Sequence, residues 1–109
     1  MGMIKNIKVK ILQRRYELSK HAVDQSILRN INMKEIEQAI QNQSEVIEDY
    51  PEGKYGPSCL ILGYTDKKRP IHILCSYPDR DLIKIITLYE PNPNLWQGYK
   101  VRKLTENGV

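Results

Sequence analysis

The stretch that decides the fold is SCLILGYTDKKRPIHILCSYPDRDLIKIITLY, residues 58–89. Its apolar residues fall into three runs, 58–65, 70–77 and 82–89, and turn-forming residues close each run. The runs are joined by two connections of only four residues each. Connections this short predict antiparallel hairpins, because a parallel crossover needs about a dozen residues or more.

Upstream of these runs, the apolar residues repeat at helical rather than alternating spacing. Residues 3–14 are predicted to form a first, basic amphipathic helix. Ser19 can cap a second helix that runs to about residue 30. Asn32 can cap a third, with Glu35 at the position from which a carboxylate reaches back to the cap backbone.

Between the helices and the three runs, residues 46–50 alternate like a further strand, whereas residues 16–18 are interpreted as an extended link. The order predicts an α+β domain, with two to three N-terminal helices packed on a mostly antiparallel four-stranded sheet. The helices are expected to cover one face of the sheet and to leave the other partly open for a site. We expect residues 1–96 to form this single domain and residues 97–109 to be a polar, basic C-terminal tail.

The composition is that of a globular chain, 40% hydrophobic and 28% charged, with an uneven net charge of +4. Eight bases and two acids give residues 1–34 a charge of +6, six acids give residues 35–53 a charge of −6, and nine bases against five acids give residues 54–109 a charge of +4. Basic surfaces attract polyanions, so nucleic acid is a reasonable partner, and a charge that only keeps the protein in solution fits the same numbers.

No apolar run approaches the roughly 20 residues of a membrane span, and the N-terminus lacks the features of a signal peptide. We therefore expect a cytoplasmic protein without a membrane partner, in which Cys59 and Cys75 are buried free thiols. There is no CxxC motif, Cys/His cluster, P-loop or Rossmann glycine pattern. We expect neither a metal site nor a cofactor.

The polar residues of the chain can supply the groups that metal-independent cleavage of RNA needs. That reaction needs a base for the ribose 2′-hydroxyl, an acid for the leaving 5′-oxygen and cations for the phosphorane. The candidates are His21, His72, Arg29, Lys54, Tyr55 and Tyr89. The histidines can act as base or acid, Arg29 and Lys54 as cations, and Tyr55 or Tyr89 as a hydrogen-bond donor. Tyrosines at strand ends, among them Tyr89, can also stack unpaired bases. A structural role for His72, whose strand neighbours are apolar, stays open.

Six blocks of the sequence resemble a family of small bacterial proteins grouped as domain of unknown function 4258. The blocks are YELSKHA (16–22), RNINMKEI (29–36), VIEDYP (46–51), KYGPS (54–58), RPIH (69–72) and ITLYEP (86–91). The resemblance spans about residues 16–96 and implies a RelE/barnase-type toxin fold. It also implies an endoribonuclease toxin of a type II toxin–antitoxin system, neutralised by an antitoxin that can carry a zinc finger like that of MqsA or YgiT.

The recurrent polar positions of that family fall here on His21, Arg29, His72 and Thr87, which the resemblance makes the catalytic candidates. Lys54 lies in the loop block, and with Tyr55 and Tyr89 it is expected to bind the substrate.

Two other functions remain open from the sequence. The chain can be a non-catalytic protein-binding or regulatory module, in which both histidines are buried and hydrogen-bonded. The order helix, turn, helix, strands also fits a winged-helix-like DNA binder. The predicted recognition helix makes DNA binding less favourable, because it carries Glu35 and Glu37, which phosphates repel, and only Lys34 as a cation.

Overall fold

The computed structural model describes residues 2–104. Over that range the chain forms three helices, a five-stranded sheet and a two-stranded hairpin. The elements are α1 (Met3–Leu12), β1 (Tyr16–Leu18), α2 (Lys20–Leu28), α3 (Met33–Gln41), β2 (Ser44–Tyr50), β3 (Ser58–Tyr64), β4 (Pro70–Ser76), β5 (Ile83–Tyr89), β6 (Trp96–Gln97) and β7 (Val101–Arg102).

The α+β class and the mostly antiparallel sheet are confirmed, with strand order β1-β5-β4-β3-β2. The four predicted strands are β2 to β5, and each is antiparallel to its neighbour in the chain. The expected number of four strands is corrected to five, because β1 pairs in parallel with β5, Tyr16 lying opposite Ile83. β1 has only three residues, too few for an alternating pattern to distinguish a strand from an extended link.

The helix starts follow their predicted caps. The Ser19 hydroxyl accepts a hydrogen bond of 3.0 Å from the Ala22 N–H. Asn32 and Glu35 form a complete capping box, with bonds of 2.8 and 3.1 Å between each side chain and the other residue's backbone N–H. Together the bonds satisfy N–H groups that a helix start otherwise leaves unpaired.

The hydrophobic core lies between the sheet and helices α1 and α3. It is built mainly from isoleucines of α1, α3 and the three central strands. Cys59 and Cys75 lie opposite each other on β3 and β4 as fully buried free thiols. Gly63 lets α3 approach β3 closely, since a Cβ built there would lie 1.9 Å from the Ala39 carbonyl oxygen.

The other face of the sheet is partly covered by the β6–β7 hairpin. Trp96 packs edge-on against the His72 ring, with 4.5 Å between the ring centroids. Lys100 and Arg102 form ion pairs of 2.8 Å with Glu45 and Glu48 of β2. A tail was expected from residue 97, but residues 97–102 complete this hairpin. Residues 105–109, also expected in the tail, lie outside the described residues.

None of the helices in residues 2–104 has the length and apolar character needed to cross a membrane.

Candidate functional site

The register of the sheet builds the site in two neighbouring rows on the face that the hairpin covers only in part. Leu60 of β3, Leu74 of β4 and Thr87 of β5 lie opposite one another and form one row. Leu62, His72 and Tyr89 form the next. The sequence correctly predicted that His72 shares a face with Leu74, because residues two apart on a strand point the same way.

A cleft of about 300 Å³ opens above the first row, between the β2–β3 loop and the hairpin. We call it the tyrosine cleft. It is lined by Tyr50, Gly53, Lys54, Tyr55, Ser58, Leu60, Leu74, Thr87, Tyr89 and Arg102. Four residues predicted for the site, Lys54, Tyr55, Thr87 and Tyr89, therefore line one cavity.

The β2–β3 loop places Lys54 and Tyr55 at the mouth of the tyrosine cleft. Backbone hydrogen bonds from Gly53 to Tyr50 (3.2 Å) and from Gly56 to Gly53 (3.0 Å) fold the loop tightly. Gly56 has φ +87°, a conformation that residues with a Cβ rarely adopt. Lys54 Nζ lies 5.5 Å from the Tyr55 ring centroid, so a cation and an exposed aromatic ring stand together.

Arg102 is a functional candidate in the tyrosine cleft that sequence reasoning missed. Its Nε and Nη2 donate to the two Glu48 carboxylate oxygens at 2.8 and 3.1 Å, and its guanidinium lies 4.6 Å from the Trp96 ring centroid. The hydrogen bond to Glu48 raises the pKa of Arg102. Burial alone would raise the pKa of Glu48, but the bonds from Arg102 and Tyr50 outweigh it and lower that pKa. The sequence did contain a signal, because the bases Lys100, Arg102 and Lys103 are complementary in charge to the acidic residues of β2.

His72 lies beneath the cleft rather than in it, since its side chain is fully buried. Its Nε2 is 2.7 Å from the Tyr99 carbonyl oxygen, and its Nδ1 is 3.2 Å from the Tyr89 hydroxyl. A carbonyl can only accept, so Nε2 carries the proton and Nδ1 accepts from the Tyr89 hydroxyl. Burial lowers the pKa of His72 and favours its neutral form, and burial also raises the pKa of Tyr89.

Arg29 lies beside the tyrosine cleft but does not line it. It caps the C-terminal end of α2, and its guanidinium carbon is 5.8 Å from the Tyr89 ring centroid. Its Nε donates to Gln25 Oε1 at 2.5 Å, which holds the side chain along the helix. Arg29 can therefore contribute positive charge near Tyr89 from the rim.

His21 lies in a second cleft, of about 390 Å³, which we call the basic cleft. Its lining is Ser19, His21, Tyr55, Ser76, Arg80, Lys84 and Ile86. The position of His21 follows from a bulge at Ile86 in β5, whose carbonyl accepts the Ser19 hydroxyl at 2.9 Å and fixes the start of α2 there. The two histidines are thus not brought to one place, and Tyr55 is the residue common to both clefts.

A further cavity of about 720 Å³, just after the end of α3 and beside β2 and β3, contains none of the predicted site residues. Charges of both signs line it, and Lys100 is paired there with Glu45. Tyr64 lines it together with two lysines, but so do the carboxylates of Glu45 and Asp66, whereas no carboxylate of the described part of the chain lines the tyrosine cleft. Among residues 2–104, no three His, Cys, Asp or Glu side chains are grouped so that they could hold a metal ion.

Comparison with known proteins identifies the family. A family model described as "Domain of unknown function (DUF4258)" matches residues 18–90. No curated protein and no solved structure matches the chain. The matched segment contains β2 to β5 and every lining residue of the two clefts except Arg102. Since the match covers more than half of the chain, the protein belongs to the DUF4258 family.

Proposed function

We propose that this protein is a metal-independent endoribonuclease toxin that cleaves RNA in the tyrosine cleft. The observation that carries the proposal is Tyr89, which lines the cleft and whose hydroxyl is hydrogen-bonded to a buried, neutral His72. Lys54 and Arg102 line the same cavity. One cavity thus combines a proton-accepting pair with cations.

The cleft has the chemistry to bind one nucleotide of a single strand. Tyr50, Tyr55 and Tyr89 offer ring faces or edges to an unpaired base, and Leu60 and Leu74 supply an apolar floor. Stacking on one aromatic ring contributes about 1–3 kcal/mol per base. Lys54 at the mouth of the cleft and Arg102 on the hairpin can then contact the phosphate.

In the proposed reaction, the ribose 2′-hydroxyl gives its proton to Tyr89 Oη as the Tyr89 proton passes to His72 Nδ1. The 2′-oxygen forms a bond to phosphorus while the bond from phosphorus to the 5′-oxygen breaks. The leaving 5′-oxygen takes a proton from the Lys54 ammonium. The products are a 2′,3′-cyclic phosphate and a 5′-hydroxyl, with Arg102 stabilising the charge on the phosphorane.

His72 acts through Tyr89 in this scheme and does not itself contact the RNA. Its Nε2–H remains on the Tyr99 carbonyl, and the nearby Glu48 carboxylate favours the imidazolium that forms. Thr87 lies in the row next to Tyr89 and can donate a hydrogen bond to the ribose or phosphate. Arg29 adds charge at the rim.

The toxin assignment extends the proposal to the fold and a partner. The helical layer on one face of a mostly antiparallel sheet supports a RelE/barnase-type fold, and the proposed site of action is the cytoplasm. An acidic segment of a cognate antitoxin, a protein that can carry an MqsA- or YgiT-like zinc finger, would occlude the basic residues around the cleft. A co-purified antitoxin that binds the helical face instead would contradict this mode of neutralisation.

A protein-binding module is the second candidate function, favoured by one observation. Ile27 and Leu28, at the end of α2, are each 75% exposed, which is unusual for adjacent large aliphatic side chains. The winged-helix alternative is less well supported, because Ile36, Ala39 and Ile40 fix α3 in the core and the helix is not free to enter a groove.

The test of the proposed function is RNA cleavage by purified protein in EDTA, comparing wild type with Tyr89→Phe. The variant keeps the ring but lacks the hydroxyl, so we expect the cleavage rate to fall by about 10²-fold or more. Removing the hydroxyl leaves His72 Nδ1 buried without a donor, so a loss of stability of about 1–3 kcal/mol is also expected.

Tyr77→Phe is the matched control, since the Tyr77 hydroxyl bonds Asp49 at 2.6 Å and lines neither cleft. Wild type and the two variants are assayed well below their unfolding temperatures. Equal rates for wild type and Tyr89→Phe would remove the mechanism. Intact RNA together with normal growth on expression of the wild-type protein would remove the toxin assignment.

A further inference from the structure

We propose that the basic cleft is a second subsite for the same RNA, so that the substrate is a single strand crossing from one cleft to the other over Tyr55. This inference rests on the proposed function and deepens it. In it, the basic cleft binds a backbone phosphate through Arg80, Lys84 and His21, and the tyrosine cleft binds the nucleotide that is cleaved.

Continuity between the two clefts is the first observation. Tyr55 lines both cavities, and its side chain is 59% exposed. A ring that stands between two adjoining cavities of about 300 and 390 Å³ can stack a base while the backbone passes on either side. Lys54, close to the same ring, adds a cation at the crossing point.

The charges of the basic cleft are the second observation. The lining has three cationic or protonatable side chains and, within residues 2–104, no carboxylate. Arg80 has no ion-pair partner in the described part of the chain, and the ion pair of Lys84 with Glu17 is long, at 3.5 Å. An incoming phosphate therefore meets cations that no carboxylate within the cleft neutralises.

The two serine hydroxyl groups of the basic cleft already form hydrogen bonds within the protein. Ser19 donates to the Ile86 carbonyl and accepts from the Ala22 N–H, and Ser76 accepts from the Lys84 N–H at 2.9 Å. The groups left for a ligand are thus mainly the cationic side chains. This selects a phosphate over a neutral sugar.

The two clefts together require a single strand. A base can stack on Tyr55 or Tyr89 only when it is unpaired, and a paired base in an A-form duplex does not expose its face. A dinucleotide can place one nucleotide in the tyrosine cleft, whereas a longer strand also reaches Arg80 and Lys84. Chain length therefore separates the second subsite from the first.

The test measures binding of fluorescein-labelled 2′-O-methyl RNA, a dinucleotide and an octanucleotide of mixed sequence, which the proposed reaction cannot cleave. We expect wild type to bind the octanucleotide at least 10-fold more tightly. The Arg80→Gln/Lys84→Gln variant is expected to lose about 10-fold for the octanucleotide and little for the dinucleotide. Its salt dependence, the slope of log K against log salt, should fall by about 0.7 per charge removed.

Lys67→Gln is the control, because Lys67 is an exposed lysine near the N-terminal part of α3 and lines neither cleft. Arg80→Lys in the Lys84 wild-type background should restore binding of the octanucleotide. An equal loss for both lengths, or the same loss in Lys67→Gln, overturns the second subsite. If cleavage fails but the length dependence holds, the proposed function is lost while the subsite stands; if cleavage holds without length dependence, only the subsite is lost.

Discussion

The approach of α3 to the sheet at Gly63 gives the most sharply defined prediction for stability. In Gly63→Ala, the new Cβ would lie 1.9 Å from the Ala39 carbonyl oxygen and 2.5 Å from its carbonyl carbon. Ordinary contact begins at 3.4 Å, so α3 or β3 must move by about 1.5 Å (3.4 − 1.9) to remove the clash. The obstacle is backbone, so no side-chain rotation can relieve it.

Overpacking a core costs about 1–3 kcal/mol, and a clash with backbone belongs at or above the upper end of that range. A shift of α3 would also loosen the packing of Ile36 and Ile40, which are fully buried. We therefore expect Gly63→Ala to lose about 3 kcal/mol or more of unfolding free energy. For a domain of this size, that corresponds to a fall in Tm of roughly 12 °C or more.

Urea and thermal unfolding followed by far-ultraviolet circular dichroism measure this loss. Gly53→Ala is the matched control, because its Cβ would meet its nearest neighbours at 3.1 Å and small adjustments of the loop can accommodate it. A Gly63→Ala protein within about 0.5 kcal/mol of wild type would refute the close contact between α3 and β3 on which the helical layer depends.

Three further predictions concern the site. Arg102→Gln removes the ion pair with Glu48, so the hairpin should lose up to about 1 kcal/mol of stability. The fluorescence of the single, buried tryptophan should then shift to longer wavelength. An unchanged spectrum would argue against the hairpin. Burial lowers the pKa of His72, so the neutral ring contributes fully to the free energy of unfolding above the unfolded pKa of about 6.5. This contribution is lost as pH falls through the folded pKa. Urea unfolding between pH 5.5 and 8 should show the loss in wild type but not in His72→Gln. Lys54→Ala should lower kcat/KM for RNA on the order of 10- to 100-fold, whereas Lys67→Ala should leave it unchanged, and equal effects would exclude a specific role for Lys54.

Local signals made most of the fold predictable. The caps at Ser19 and Asn32 act over three residues, and strand alternation acts over two, so both can be read from neighbouring residues. β1 and the β6–β7 hairpin could not be found in this way. Their strands have two or three residues, and they are stabilised by contacts with β5 and β2 that lie far away in the sequence.

The site was predictable to the extent that the sheet register determines it. Alternation placed His72 on the correct face but left its burial open, because the β6–β7 hairpin that brings Trp96 onto its ring has no local sequence signal. His21 was grouped with His72 because the sequence alone does not show where α2 lies on the sheet. The bulge at Ile86 sets that position through a hydrogen bond to Ser19. The roles of these residues in catalysis remain predictions.

The chemistry at the Tyr89 hydroxyl is tested most directly by mass spectrometry of the ends of RNA fragments left by the purified protein in EDTA. The mechanism predicts fragments ending in 2′,3′-cyclic phosphate and beginning with 5′-hydroxyl for wild type, and their near absence for Tyr89→Phe. Intact RNA, or fragments with 3′-hydroxyl and 5′-phosphate ends, would contradict transfer of the 2′-hydroxyl proton to this tyrosine.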